Sequence, residues 1–335
     1  MTRRPRALLA MSEKSRTLLF DAPSLARLEH LLEVRTDRAV TDYADLEDDA
    51  LAEVEYIIGG WGAPFLDKAA LDRMPRLRAF VHTAGTVKEF VAPEAWARPV
   101  IVTSAVEANA KPVAEFTLAA ILLSGKRFID VARHFGQTRK VVNPTWRWPD
   151  IGNYGKTVGI IGASRVGRRV VELLRPFDYR VLLSDPTIDA QTAAALGAEL
   201  VDLDTLMRES DIVSVHAPRL PSTIGMVNAE RLALMRPGST LINTARGALV
   251  DHGALIDRLS EGSLTAILDV TEPEHLPEDS PLWTLPNAIL TPHIAGSLGT
   301  ELRRLVASAL GEIQLLVEGQ EPSNPVPAES LSTIA

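Results

Sequence analysis

No cysteine occurs among the 335 residues of this chain. Disulfide bonds, thiolate nucleophiles and cysteine-ligated zinc are therefore excluded together. That absence does not by itself assign a compartment. The chain also lacks any hydrophobic run approaching the roughly 20 residues of a membrane-spanning helix. Positive charge is not in excess, since 35 Lys and Arg face 43 Asp and Glu for a formal net charge of −8. Nucleic acid and an anionic membrane are thus not expected as partners. A basic start, Met1-Thr-Arg-Arg-Pro-Arg6, precedes the apolar Ala7-Leu-Leu-Ala-Met11, which Ser12-Glu-Lys-Ser-Arg16 cuts short. A secretory signal needs about 7–15 apolar residues before its cleavage site. The segment reads instead as a first β-strand, and a cytoplasmic protein is expected.

What is present is an alternation of short apolar runs with helical patterns. With 46% hydrophobic and 23% charged residues the composition is that of a soluble globular protein. The length suggests two domains, at roughly 150 residues each. Up to about residue 105 the runs are Ala7–Met11, Leu25–Leu32, Tyr56–Ile58, Leu77–Val81 and Val100–Thr103, a pattern of parallel strands with crossover helices. Gly59-Gly-Trp-Gly-Ala-Pro64 reads as a loop at a strand end. A long helical pattern from Val113 continues towards Phe135 and is apolar on more than one face, as a helix covered by another domain or subunit would be. After the aromatic connector Asn143–Pro149, a second α/β series runs through Arg180–Ser184, Ile212–Val215, Thr240–Asn243, Ala266–Leu268 and Ala288–Thr291. A helical period returns from Glu301 to Leu316, and Pro322, Pro325 and Pro327 suggest a loose tail.

The second series opens with Lys156-Thr-Val-Gly-Ile-Ile-Gly162-Ala-Ser164-Arg165-Val166-Gly167, a buried strand, a tight turn and a helix start. Asp185 closes the next apolar run. A strand, a glycine turn, a helix and an acidic residue about 20 positions on describe a dinucleotide site. The glycines let the backbone approach the pyrophosphate, and the helix N-terminus offers free N–H groups and a positive dipole end. Asp185 would accept from the ribose hydroxyls and repel a 2′-phosphate, so NAD is favoured over NADP. Ser164 stands where this fingerprint has its middle glycine, and its hydroxyl, like Arg165, is a candidate phosphate contact.

Three further side chains follow at likely strand ends. Asn243-Thr244-Ala245-Arg246-Gly247 follows a buried strand and precedes a helix read at Val250–Leu259, so Arg246 projects where open α/β sheets place their ligands. A guanidinium can clamp a carboxylate with two hydrogen bonds and polarise an adjacent carbonyl. Leu290-Thr-Pro-His293 puts a histidine at another strand end, and Asp269, Glu272 and Glu274 supply carboxylates between the two. The combination points to hydride transfer on a small anionic substrate.

These segments resemble the D-isomer-specific 2-hydroxyacid dehydrogenases, of the phosphoglycerate and glycerate dehydrogenase kind, over nearly the whole length. The likeness is carried by Val113-Ala-Glu-Phe-Thr-Leu-Ala, Val158–Gly167, His216-Ala217-Pro218, Ile242–Asp251, Leu268–Glu274 and Thr291-Pro-His-Ile-Ala295. It implies an α/β fold of two doubly wound Rossmann-like domains, with the cofactor domain inserted into a flavodoxin-like substrate domain. Residues 1–108 and 295–335 would form the substrate domain and 109–294 the NAD-binding domain. It implies that Arg246 binds the substrate carboxylate, that His293 is the acid/base and that Glu274 pairs with the imidazole. Glu272 is the alternative for that last role. It implies further that Asp269 contacts the nicotinamide, that His216, Ala217, Pro218, Thr244 and Ala245 border the cofactor, and that Gly85 helps to bind the substrate carboxylate. The formate dehydrogenase branch has an amide where Glu274 sits, so the carboxylate argues against that branch.

The chemistry is coherent on the residues alone. Reduction of a 2-oxo acid needs a hydride donor, a proton donor and a cation for the developing charge, and an adjacent carboxylate would stabilise the imidazolium form of the donor. His30, His82, His134 and His252 show no spacing that suggests a metal site, and no metal is expected. His275 is read as a surface residue. The substrate side departs from the family, with Thr83-Ala-Gly85-Thr-Val-Lys88 carrying one glycine and Arg219-Leu-Pro-Ser-Thr223 replacing the usual sequence. Lys88, Lys111 and Arg219 are extra cations that could meet a second acidic group, and Trp61 could wall the pocket. Two alternatives stand beside the dehydrogenase: the same scaffold acting on phosphite or a phosphonate, and a non-enzymatic, NAD-sensing scaffold of the corepressor kind. A homodimer is expected from the apolar helix.

Overall fold

The computed structural model of the chain describes residues 3–141 and 143–329; residues 1–2 and 330–335 of the expected terminal ranges lie outside the described residues. Two compact units emerge, one holding the residues up to Asn109 and from Ser297 onward, the other Ala110 to Gly296.

The first unit is built on a parallel sheet of β1 (Arg6–Ala10), β2 (Glu33–Val34), β3 (Tyr56–Gly59), β4 (Ala79–His82) and β5 (Ile101–Ser104), in the order β2-β1-β3-β4-β5. Every residue of β3 and β4 is buried, as expected where helices cover both faces of a parallel sheet and the strands read as continuous apolar runs. One face packs Leu9, Ile58 and Val81 against Leu305, Val306 and Ile313 of the C-terminal helix Leu302–Val317. The other packs Ile57, Phe80 and Val102 against Leu51, Leu66 and Leu71.

The segment read as a loose tail is clamped. Pro325 bridges Thr103, the Val326 N–H donates to Val102 O at 2.8 Å, and Trp96 Nε1 donates to Val326 O at 2.7 Å. Buried Glu312 accepts from the Ser323 and Asn324 N–H groups and from Asn324 Nδ2. Prolines suit this place because an edge segment can dispense with a ladder donor.

The second unit carries seven parallel strands: β6 (Thr157–Ile161), β7 (Arg180–Ser184), β8 (Glu199–Leu200), β9 (Ile212–Val215), β10 (Thr240–Asn243), β11 (Thr265–Leu268) and β12 (Ala288–Leu290). Their order is β12-β11-β10-β9-β6-β7-β8. The chain direction across the sheet reverses between β6 and β9, and doubly wound sheets bind ligands outside the strand ends at such a switch point.

The helix expected from Val113 towards Phe135 is two helices, Val106–Gly125 and Phe128–Thr138, with Arg127 left-handed at φ +45° between them. The break has a tertiary cause. Gly152 N–H caps Gly125 O at 2.8 Å and Asn153 Nδ2 donates to Leu122 O at 3.2 Å. A Cβ on Gly125 would lie 1.9 Å from Asn153 Oδ1, so the close approach that ends the first helix requires glycine there. Among the described residues no helix is long and apolar enough to cross a membrane.

Candidate active site

The glycine turn after β6 divides its three signature positions into two that need glycine and one that does not. Gly162 has φ +98°, and a Cβ there would sit 2.7 Å from Ala217 N. A Cβ on Gly167 would sit 2.0 Å from Gly162 O. Ser164, at φ −64° and ψ 175°, is in ordinary extended backbone and N-caps the helix Arg165–Leu174, its Oγ accepting the Gly167 N–H at 3.2 Å. Serine is among the preferred N-cap residues, so its presence costs the turn nothing. Arg165 is exposed and Val166 half-buried in the first turn of the same helix.

Asp185, just past β7, is bound to this turn. One carboxylate oxygen accepts the Ala163 N–H at 2.6 Å, and the other accepts the Thr187 N–H and hydroxyl at 2.8 and 2.6 Å. The His216 ring points into the interior, with Nε2 2.8 Å from Ser214 Oγ. Burial pushes this imidazole down to about 3, so it is neutral near neutral pH. The His216–Ala217 segment faces Gly162 with its backbone and Gly167 with the His216 Cβ. A cradle that a Cβ would fill, a ten-residue helix starting at that cradle and a carboxylate on the neighbouring strand fit a dinucleotide.

Three turns at the carboxyl ends of β10, β11 and β12 carry the candidate side chains Arg246, Glu274 and His293. Asn243 is fully buried, donating from Nδ2 to Arg246 O at 2.9 Å and accepting the Ala245 N–H at 3.0 Å. This pair folds the turn that presents Arg246, whose Nη1 donates to Ala245 O at 2.7 Å. Thr244 Oγ1 lies 3.0 Å from Thr117 Oγ1, which ties the turn to the helix beneath. Gly247 passes so close to the next turn that a Cβ would lie 2.0 Å from the Thr271 carbonyl carbon. A short helical turn, Gly247–Leu249, follows, and the helix read at Val250–Leu259 starts instead at His252, N-capped by Asp251.

Asp269, 2% exposed, organises the third turn from within the second. Its Oδ1 accepts from Thr291 Oγ1 at 2.6 Å and from the Ile294 N–H at 2.8 Å, while Oδ2 accepts the Ala295 N–H at 2.9 Å. Its carbonyl accepts the His293 N–H at 3.0 Å. Held on both sides, His293 adopts φ +55°, a conformation uncommon outside glycine. Its Nδ1 lies 2.6 Å from Oε1 of Glu274. The two side chains are 49% and 58% exposed, and a pair so accessible adds little to stability. Its consequence is orientational. With Nδ1–H donated to the carboxylate, Nε2 is the nitrogen left to exchange a proton.

Within this unit Arg246, Glu274, His293 and Asp269 thus stand on adjacent turns of one sheet edge, and of the two candidate carboxylates Glu274 meets the imidazole. Gly85 belongs to the other unit, after β4, where Thr83 is anchored to Gly59 O by its N–H and its hydroxyl. Around Gly85 a Cβ would meet only Asn109 Nδ2, at 3.7 Å. Asn243, Thr291 and His252 also shape these turns and are not read as functional from the sequence. Asn243 could have been found, because an Asn at the end of a strand commonly closes a turn on its own backbone. Thr291 and His252 carry no such local signal.

The matched family model is that of the D-isomer specific 2-hydroxyacid dehydrogenase NAD binding domain, over residues 125–295. A glyoxylate reductase of Thermofilum pendens is 35% identical over 272 residues, covering 79% of each chain. A D-3-phosphoglycerate dehydrogenase of Mycobacterium tuberculosis is 33% identical over 262 residues, which cover 77% of this chain. The match spans 48% of that longer protein. Among solved structures, a phosphoglycerate oxidoreductase from Rhizobium etli superposes with a TM-score of 0.83 at 27% identity, covering 96% of this chain and 98% of that one.

Proposed function

The chain belongs to the D-isomer specific 2-hydroxyacid dehydrogenase family and is an NAD(P)-dependent oxidoreductase, and from that premise we propose that it interconverts a D-2-hydroxy acid and a 2-oxo acid through Arg246, Glu274 and His293. The 2.6 Å contact between His293 Nδ1 and Glu274 Oε1 carries the reading. A carboxylate there fixes the ring with Nε2 free to exchange a proton, as a general acid/base requires.

NAD would be held by Gly162, Ser164, Arg165, Val166 and Gly167 at its pyrophosphate and by Asp185 at its ribose, with the backbone of His216, Ala217 and Pro218 and the Thr244–Ala245 turn alongside. Bound NADH supplies the hydride that reduces the carbonyl carbon. Arg246 clamps the substrate carboxylate with its planar fork and draws charge from the neighbouring carbonyl. His293 delivers a proton from Nε2 to the carbonyl oxygen, while Glu274 holds the ring and offsets its positive charge. In the direction of oxidation the neutral imidazole takes that proton back. The named relatives act on glyoxylate or phosphoglycerate, and a small 2-oxo acid is the corresponding substrate class here.

The helix Phe128–Thr138 buries none of its own residues and leaves Phe128 and Phe135 more than half exposed, beside Leu123 at 43%. This apolar face supports a homodimer. The deciding experiment follows NADH oxidation against glyoxylate, pyruvate, hydroxypyruvate and bulkier branched and aromatic 2-oxo acids, with phosphite tested in the oxidative direction. Turnover of one oxo acid supports the reading. Silence across the panel by a protein that binds NADH tightly would overturn it.

A further inference from the structure

Glu274 is an exposed side chain whose carboxylate has one hydrogen-bonding partner among the described residues, His293. A long side chain held at a single point is fixed mainly by the backbone that bears it, because its rotamer entropy opposes any fixed geometry. The question is then what fixes residues 271–274. Thr271 Oγ1 closes the turn on itself, donating to Pro273 O at 2.8 Å and to Glu274 O at 3.2 Å. Gly247 supplies a steric floor under Thr271 and Glu272. Among the described residues, one hydrogen bond reaches the backbone of this turn from outside it. The Glu272 N–H donates to His252 Nε2 at 3.4 Å.

The His252 ring is well placed to act as that acceptor. It is the first residue of the helix capped by Asp251, and its Nδ1 lies 3.0 Å from Val250 O. A carbonyl can only accept, so Nδ1 carries the proton and Nε2 is bare. Burial lowers the affinity of this ring for a second proton, against the opposing pull of the Val250 carbonyl and the Glu272 and Asp251 carboxylates. The imidazole is thereby kept in the one form that can accept from the Glu272 N–H.

We propose that His252 is a positioning residue: its neutral imidazole ties the Glu272 peptide to the helix after β10 and so sets where the Glu274 carboxylate meets His293. Because Gly247 lies against Thr271 and Glu272 and His252 accepts the Glu272 N–H, the turn bearing Arg246 and the turn bearing Glu274 are held as one block. The substrate clamp and the proton-transfer pair then share a fixed spacing. The proposal rests on the reading that Glu274 and His293 move the proton.

The test compares His252→Leu, which fills the space without an acceptor, with His252→Gln, whose amide oxygen can accept from the Glu272 N–H. Each is made in the wild-type chain and in Glu274→Gln. Readouts are kcat and KM for a 2-oxo acid that the wild type reduces, NADH affinity by fluorescence titration, and Tm. His252→Leu is expected to lower kcat on the order of tenfold, a coupling of the size that contacting residues show, with NADH affinity and KM near wild type. His252→Gln should recover most of the loss, and in the Glu274→Gln background His252→Leu should cost little more. A loss that persists in full in that background, or that His252→Gln does not relieve, overturns the proposal alone. Should Glu274→Gln keep wild-type kcat, the proton-transfer reading fails and this proposal with it.

Discussion

His293 Nδ1 and Glu274 Oε1 lie 2.6 Å apart across 19 residues of sequence. The histidine reaches this place only by adopting φ +55°. Such backbone costs a non-glycine residue of order 1–3 kcal/mol and persists where surrounding contacts over-determine it. Here those contacts are the Asp269 carbonyl on the His293 N–H and the Asp269 carboxylate on the next two N–H groups. His293→Gln is expected to lower kcat by roughly 10²–10⁴-fold, the usual worth of a general acid. NADH affinity, measured by fluorescence titration, should stay near that of the wild type. Glu274→Gln should act in the same direction and by less. An unchanged kcat in His293→Gln would overturn the assignment of the acid.

Arg246 is expected to serve the substrate in both ground and transition states. Arg246→Ala should therefore raise KM and lower kcat together, with kcat/KM down about 10²-fold, as for the loss of hydrogen bonds to a charged group. Arg246→Lys keeps the charge without the planar fork and should recover only part of that loss. Steady-state kinetics at saturating NADH check both. A change confined to KM would mean that the guanidinium binds the carboxylate without assisting the reaction.

What could be read in the sequence is what neighbours in sequence decide. Arg180–Ser184 is a strand over the residues anticipated because a buried parallel strand writes itself as an uninterrupted apolar run. The glycine turn after β6 is legible because Gly162 and Gly167 obey local backbone and helix-end rules. Gly125 ends a helix through Gly152 and Asn153, more than 25 residues later, and no period or propensity nearby announces that. Glu312 holding Asn324, and Asp269 capturing the Ala295 N–H, are likewise long-range polar pairings. A carboxylate looks the same in sequence whether it faces solvent or three buried donors. His252 was set aside for want of a metal-like spacing, and its actual partner is a main-chain N–H that sequence does not display.

The glycine turn yields a contrast between Gly162 and Ser164, two positions of one turn. Gly162→Ala would force a side chain into φ +98° and against the Ala217 backbone, so stability should fall by about 1–3 kcal/mol and NADH affinity with it. Ser164→Gly relieves no strain, since Ser164 is already in extended backbone. It should cost a few tenths of a kcal/mol and leave NADH binding measurable, whereas Ser164→Ala should cost about 1 kcal/mol through the lost cap. Thermal melts and NADH titrations of the three variants are the check. Wild-type NADH affinity in Gly162→Ala would show that the cradle tolerates a side chain.

His82 makes the last case, because it is buried between Phe80 and Phe90 at the end of β4, with ring centroids 6.0 and 4.8 Å away. Neither ring nitrogen has a hydrogen-bonding partner among the described residues. Burial pushes its imidazole from 6.5 down to about 3. Between those values the unfolded chain binds a proton that the folded chain refuses, so the folded state loses ground as pH falls through 6.5 and keeps losing it towards 3. Above 6.5 both states are neutral at this site and nothing is lost. The slope from one such residue is about 1.4 kcal/mol per pH unit. His216, also held near 3 by burial, adds a second. His82→Phe replaces the ring by one of similar size that suits its aromatic neighbours. It should flatten the dependence of stability on pH between about 6 and 4 by roughly one histidine's share. At pH 7 it should not destabilise the protein, because burying an unpaired polar group costs about 1–3 kcal/mol that phenylalanine does not incur. Urea unfolding at a series of pH values measures both effects. A slope identical to that of the wild type would mean that His82 is protonated, or reaches water, in the folded protein.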